Sequence, residues 1–288
     1  MSSSPADVNA RIAGLFVYPI KSCAGVARTE AVLTDSGLDL DRAWMVVDAQ
    51  GDFVTQRELP RMALIRLQLK HYEVVLRAPG MLALHLQIDG VEQPARVRLW
   101  DEEIAAYDMG DVAAQWFSDF LGTRLRLVRF DPEQRHLADP AWTGGVEATS
   151  QFSDGFPLLV LSEASLAGFN ERLALAGHAP VGVERFRPNI VLAGIEAHDE
   201  DRLGTLAIDT ADGPARLQLV KPCPRCPIPN VDPATGEVQP RVADTLQGYR
   251  RSERLDGAVA FGMNAIVRGG DGVTLRVGQV VRSQFVLD

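Results

Sequence analysis

Leu82-Ala-Leu-His-Leu-Gln-Ile88 places a leucine or isoleucine at every second position. That is the period of a strand with one buried face, and it cannot be laid along a helix without scattering the apolar side chains. The same pattern recurs at Val97 and Leu99. Ala43–Asp48 and Phe53–Gln56 flank Ala49-Gln-Gly-Asp52, which reads as a hairpin around a glycine turn. Ile12–Val17, Met62–Leu69 and Tyr72–Leu76 are further short apolar runs, so the first half reads as many short strands without long helices, a small barrel or sandwich.

A first helix comes before a second half that mixes classes. Asp111–Leu121 reads as a helix, with Asp111 as N-cap, Trp116 and Phe120 on one face and Gly122 beyond its end. Arg124–Phe130 returns to strand. The stretch 131–150 is polar and without period, and is read as a boundary or long loop. Pro157–Leu161 is a buried strand, and Ser162 caps a helix running to about Ala176. Strands follow at Asn189–Ala193, Thr205–Ile208 and Ala215–Val220. Lys221–Pro240 is a proline-rich ordered loop and Asp244–Arg251 a short helix. Val259–Val267, Val273–Val277 and Val280–Leu287 close the chain as strands. The fold class is α+β, predominantly β. Residues 1–10 are expected as a flexible tail, 11–130 as one β-domain and 131–288 as a second.

Composition narrows the function. The 288 residues carry a net charge of −9, against nucleic acid or an anionic membrane as the main partner. Three cysteines (Cys23, Cys223, Cys226) do not make a disulfide scaffold and point to a reducing compartment. The first ten residues lack the basic and apolar regions of a signal peptide, and no apolar run approaches the ~18 residues of a membrane span. The expected location is cytoplasmic.

The segment richest in chemistry is Lys221-Pro-Cys-Pro-Arg-Cys-Pro-Ile-Pro-Asn-Val-Asp-Pro233. Prolines 222, 224, 227 and 229 stiffen it, and Arg225 beside Cys226 favours a thiolate, both nucleophile and soft metal ligand. By itself C-x-x-C leaves three readings open: half a zinc site, a thioredoxin-like redox pair, or two loop cysteines without a metal. Elsewhere, Lys21 and Ser22 lie in a turn after the first strand, where a phosphate can be held without P-loop spacing. Arg42, Arg57, Arg187 and Asn189 stand at strand ends; arginine suits bidentate phosphate recognition.

Taken in order, Y-P-I-K-S-C-x-G, D-R-x-W, V-T-x-R-x-x-P, L-S-E-A-S-L, F-R-P-N-I-V, C-x-R-C and V-D-P-x-T-G resemble the MOSC family of molybdenum-cofactor proteins. The resemblance runs from about Arg11 to Leu287 and is to the branch with an N-terminal β-barrel domain, which includes the mitochondrial amidoxime-reducing components and bacterial relatives. It implies a MOSC β-barrel domain associated with an N-terminal β-barrel-like domain, the cofactor held between them. It implies that Cys226 ligates molybdenum and is the catalytic centre, with Cys223 a neighbour. It implies that Lys21, Ser22, Arg42, Arg187, Asn189 and Arg225 hold molybdopterin and its phosphate, with Asp154 and Gly155 passing close. The chemistry implied is two-electron reduction of N-hydroxylated compounds such as amidoximes, hydroxylamines and N-hydroxylated bases. A separate ferredoxin- or flavoprotein-type donor would feed a monomeric chain.

Pyridoxal phosphate is not expected, and neither is an iron–sulfur cluster, since three cysteines cannot ligate one that needs four. The membrane anchor of the mitochondrial members and the ferredoxin-like domain of some bacterial ones are not expected either. Pro227-Ile-Pro-Asn230 stands where close relatives carry apolar residues and threonines, which would change substrate choice. The alternative reading is a non-catalytic cofactor carrier or sulfur-transfer protein.

Overall fold

The structure, a computed structural model, describes residues 7–286. Strand β1 (Asp7–Val17) sets the architecture. Val8, Ala10 and Ile12 are buried at alternate positions; a bulge between Ile12 and Gly14 then shifts the parity, and Leu15 and Val17 are buried instead. One extra residue in a strand does this by re-aiming every side chain beyond it. Of the tail expected over residues 1–10, the last four residues are strand instead. Asp7–Ala10 already pair with Val281–Gln284, while residues 1–6 lie outside the described residues.

Two small sheets follow. β2 (Trp44–Val47) is separated by the turn Pro60–Leu64 from an antiparallel meander, β3 (Arg66–Leu69), β4 (Glu73–Arg77) and β5 (Leu84–Gln87). Met62–Leu64, expected in strand, are in that 3-10 turn because Pro60 presets its first residue. In β5 Leu84 and Leu86 are buried and His85 and Gln87 exposed; Leu82 lies outside the strand and is exposed. β6 (Gln93–Leu99), β7 (Glu102–Asp108) and, after helix α1 (Asp111–Leu121), β8 (Arg126–Phe130) join β2 in the order β2-β8-β7-β6. β7 is unannounced in the sequence, since it opens on two glutamates and shows only Ile104 and Ala106 as buried positions. The N-cap of α1 is Gly110, at φ 90°, and Asp111 takes the first helical position, where its charge complements the helix dipole.

The second half supplies β9 (Leu158–Ser162), α2 (Glu163–Leu175), β10 (Ile190–Ala193), β11 (Thr205–Thr210), β12 (Gly213–Pro224), α3 (Arg241–Gln247), β13 (Ala260–Gly269) and β14 (Val280–Gln284). The strands run β10-β9-β13-β12-β11-β14-β1, and β1 pairs back onto β10. The result is a closed seven-stranded barrel, which has no exposed edge to aggregate. Its interior is filled from β1 and from the second half alike, with Ile12, Leu15, Val160, Ile190, Leu206, Leu217 and Met263 all buried. Each such side chain contributes about 1.5–3 kcal/mol by leaving water. Residues 11–17, grouped by sequence with the first domain, are thus part of the second half's barrel.

β9 and β10 are parallel, joined by α2; the other barrel pairings are antiparallel. The Ser162 hydroxyl accepts the Ser165 N–H at 3.0 Å and caps α2 as read from the sequence. Phe169, Phe186 and Phe261 pack ring to ring under it, with centroids 4.6–5.8 Å apart. Three boundaries differ from expectation. α3 begins at Arg241, not Asp244. β12 continues through Lys221–Pro224, expected as loop: bulges after Leu219 and Pro222 place the prolines where no ladder N–H is required. The last strand is bounded at Gln284, and Leu287 lies outside the described residues.

Candidate functional site

Three segments converge where the two halves of the chain meet. Tyr18–Lys21 runs beside Asp41–Trp44. The Arg42 N–H donates to the Tyr18 carbonyl (2.8 Å), the Trp44 N–H to the Pro19 carbonyl (3.0 Å) and the Lys21 N–H to the Trp44 carbonyl (2.8 Å). The Asp41 carboxylate accepts the Tyr18 N–H at 2.8 Å and pairs with the Arg42 guanidinium at 2.6 Å. At the mouth of the barrel, Asn189 locks β1 to β9: its side chain accepts the Leu159 N–H (3.1 Å) and donates to the Phe16 carbonyl (3.2 Å). The end of β12 brings in the cysteine loop.

Between these segments is a cavity of about 190 Å³. All nine residues that the resemblance assigns to the site line it: Lys21, Ser22, Arg42, Asp154, Gly155, Arg187, Asn189, Arg225 and Cys226. Arg57 does not; its guanidinium lies over the Trp100 ring at 4.7 Å. Cys23 is buried away from the cavity, and burial pushes its thiol up to about 12, so it is no thiolate ligand.

Ser22 (φ 68°), Arg42 (φ 51°) and Arg187 (φ 58°) all adopt left-handed backbone. That conformation costs a non-glycine residue roughly 1–3 kcal/mol and persists where a site demands it. The Arg42 and Arg187 guanidiniums both lie over the Tyr18 ring, at 4.4 and 4.3 Å. The Tyr18 hydroxyl donates to the Pro188 carbonyl at 3.1 Å, and burial drives its pKa upward, so the ring stays neutral beside two cations.

The charges are unevenly compensated. Lys21 Nζ donates to the Phe152 carbonyl (2.9 Å) and to Asp154 Oδ1 (2.6 Å). Burial lowers the Lys21 pKa, against the pull of Asp154. Burial works to raise Asp154, but the Lys21 charge and the hydrogen bonds from Lys21 and Trp100 hold it below the usual carboxylate range. Arg42 has Asp41. Arg187 and Arg225, by contrast, reach no carboxylate among the described residues. Arg187 Nη1 donates to the Cys23 carbonyl (2.7 Å) and its Nη2 is buried without a partner. Burial, then the nearby Arg42, lower the Arg187 pKa to about 10. Arg225 donates to the Phe186 carbonyl (2.9 Å) and to Cys223 Sγ (3.1 Å), and its Nε is buried without a partner. A cavity holding two uncompensated guanidiniums with orphaned N–H groups is built for an anion. With a thiol beside them, the residues fit a phosphate-bearing, soft-metal cofactor.

Arg225, expected to act on Cys226, makes its sulfur contact to Cys223. Both cysteines are partly exposed. No three His, Cys, Asp or Glu side chains gather into a metal-holding group among the described residues, so the zinc reading finds no ligand set. Sequence reasoning also missed Lys221 and Asn264, which line the cavity, and Arg185, which braces the loop. Lys221 sat in the quoted loop, and its position next to Pro222 and Cys223 was the available signal. Arg185 carried none.

Residues 9–124 match the MOSC N-terminal beta barrel domain and residues 147–282 the MOSC domain. The chain belongs to the MOSC family, in the branch where an N-terminal MOSC barrel domain precedes the MOSC domain. It is 36% identical to mitochondrial amidoxime reducing component 2 of Rattus norvegicus over 251 residues, 83% of this chain and 72% of the relative. It is 36% identical to human mitochondrial amidoxime-reducing component 1 over 252 residues, 84% of this chain and 72% of the relative. With molybdenum cofactor sulfurase of Bos taurus it shares 28% identity over 273 residues, 88% of this chain but 30% of that protein. No helix among the described residues is long and apolar enough to cross a membrane.

Proposed function

We propose that this chain is a molybdenum-cofactor-dependent reductase of N-hydroxylated compounds (amidoximes, hydroxylamines and N-hydroxylated bases), fed by a separate ferredoxin- or flavoprotein-type donor. The observation that carries the reading is a pair of half-buried guanidiniums without carboxylate partners, Arg187 and Arg225, each with one nitrogen buried and unpaired, lining the same cavity as Cys226. In this reading Cys226 holds the metal from a proline-stiffened loop. Arg187, Arg225 and Arg42 take the phosphate and pterin. Ser22, Asn189 and Gly155 shape the wall; a Cβ at Gly155 would meet no protein atom within 4 Å. Lys21 fixes Asp154 at the edge. When bound, the cofactor supplies two-electron oxygen-atom transfer, and the protein orients it and excludes competing reactions.

The test is turnover of benzamidoxime by molybdenum-loaded protein with a reduced viologen as electron source. Benzamidine formation supports the reading; full molybdenum loading without turnover on any amidoxime or hydroxylamine overturns it. Cofactor carriage or sulfur transfer is the second reading, favoured by the second cysteine, Cys223, in the same cavity beside Arg225.

Arg187→Ala removes a charge-assisted contact worth about 1.5–3 kcal/mol, so retention of the cofactor falls roughly 10- to 150-fold. Molybdenum remaining after gel filtration measures it. Unchanged occupancy contradicts the assignment of Arg187.

A further inference from the structure

Trp100 is not explained by the fold or by cofactor binding. It stands in the tight turn between β6 and β7 at φ 55°, a left-handed backbone that a bulky residue adopts only when held there. Nearly half of it is exposed, 47%, yet its side chain is fixed on three sides. The indole N–H donates to Asp154 Oδ1 at 3.1 Å. The Arg57 guanidinium lies over the ring at 4.7 Å. The Phe53 ring packs against it with centroids 5.0 Å apart, tilted by 60°. Asp154 is the same carboxylate that Lys21 holds at the cavity wall, so the indole is tied directly to the edge of the site. A turn needs no exposed indole; glycine or asparagine would sit there without strain. Trp100 does not itself line the cavity; the arrangement provides a rigid aromatic surface, stacked on Arg57 and held against Asp154, which does. Such a surface accepts flat π-systems by offset stacking or edge contact and gives little to a small aliphatic chain.

We propose that Trp100, backed by Phe53 and Arg57, is a substrate-positioning platform that selects planar aromatic N-hydroxylated substrates over small aliphatic ones. The inference rests on the reductase reading above and names the substrate class of that site.

The experiment compares wild type, Trp100→Ala and Trp100→Phe, all molybdenum-loaded. First, calorimetric affinity is measured for benzamidine, the aromatic product, with no turnover occurring. Second, kcat/KM for benzamidoxime is divided by that for acetamidoxime. An aromatic contact of about 0.5–1.5 kcal/mol predicts that Trp100→Ala weakens benzamidine binding, and lowers the aryl-to-alkyl ratio, up to about tenfold. Trp100→Phe keeps the ring without the N–H, and should retain most of both. A loose Asp154, in contrast, would affect both variants alike. The proposal is overturned if Trp100→Ala binds benzamidine as wild type does, if wild type does not bind it, or if Phe and Ala lose equally. Absence of turnover in every protein, with benzamidine binding intact and lost only in Trp100→Ala, would remove the reductase reading and leave the platform standing.

Discussion

Cys226→Ser yields a folded protein that no longer retains molybdenum and no longer reduces benzamidoxime. A serine hydroxyl is a hard, scarcely ionised ligand at neutral pH, whereas the thiolate is soft and matches the metal. The fold is expected to stand. Cys226 is partly exposed and lies just beyond β12, outside every core cluster; substitutions at such places usually stay within about 0.5 kcal/mol. Cys223→Ser is the control. Its sulfur accepts from Arg225 Nη1 at 3.1 Å, a role that a serine oxygen can also fill. Milder loss is therefore expected at Cys223. Equal loss at both positions would indicate a paired-cysteine function, and full reductase activity in Cys226→Ser would remove the ligand assignment altogether.

Arg185→Met lowers stability by about 3–5 kcal/mol, because a buried ion pair loses one partner and leaves the other charge unpaired. Arg185 has a side chain only 4% exposed. It donates to the carbonyls of Pro229 (3.3 Å) and Asn230 (3.2 Å), to Asp232 (2.9 Å) and to Gln239 (2.7 Å). These contacts tie down both ends of the segment that follows Cys226. Asn230 belongs to the same scaffold: its side chain accepts the Ala243 N–H at 2.9 Å, near the start of α3. Losing Arg185 removes all four of these hydrogen bonds at once and leaves Asp232 without its cation. The thermal midpoint should fall by roughly 10 °C for a chain of this size, and molybdenum content should fall with it. A midpoint within about 2 °C of wild type, on the same scale, would show that the loop is held by its prolines alone.

The fold class was legible in the sequence, and the residues assigned by resemblance come together at one cavity. Lys21, Ser22, Arg42, Arg187, Asn189 and Cys226 belong to motifs that keep their order along the chain, so family resemblance could gather them before any contact was known. Their chemistry could not be read that way. The left-handed backbone at Ser22, Arg42 and Arg187 follows from tertiary constraint, since none of these is a residue that seeks positive φ. The contact of Arg225 with Cys223 Sγ is a detail of side-chain placement that local periodicity does not encode. In the fold, α1 and α2 were legible from helical spacing with glycine and serine at their ends. Barrel closure was not, because it rests on β1 pairing with β10 and β14 some 180 and 270 residues away. Strand β7 was hidden by its opening glutamates. Trp100 carried no motif at all; its signal is a strained backbone and an exposed indole with every contact made.

The most direct test is molybdenum and zinc per chain, by elemental mass spectrometry, on protein made in a host that synthesises the cofactor. The account predicts near-stoichiometric molybdenum in the wild type and none in Cys226→Ser. Zinc in place of molybdenum, or no molybdenum even after cofactor is added back, would contradict it.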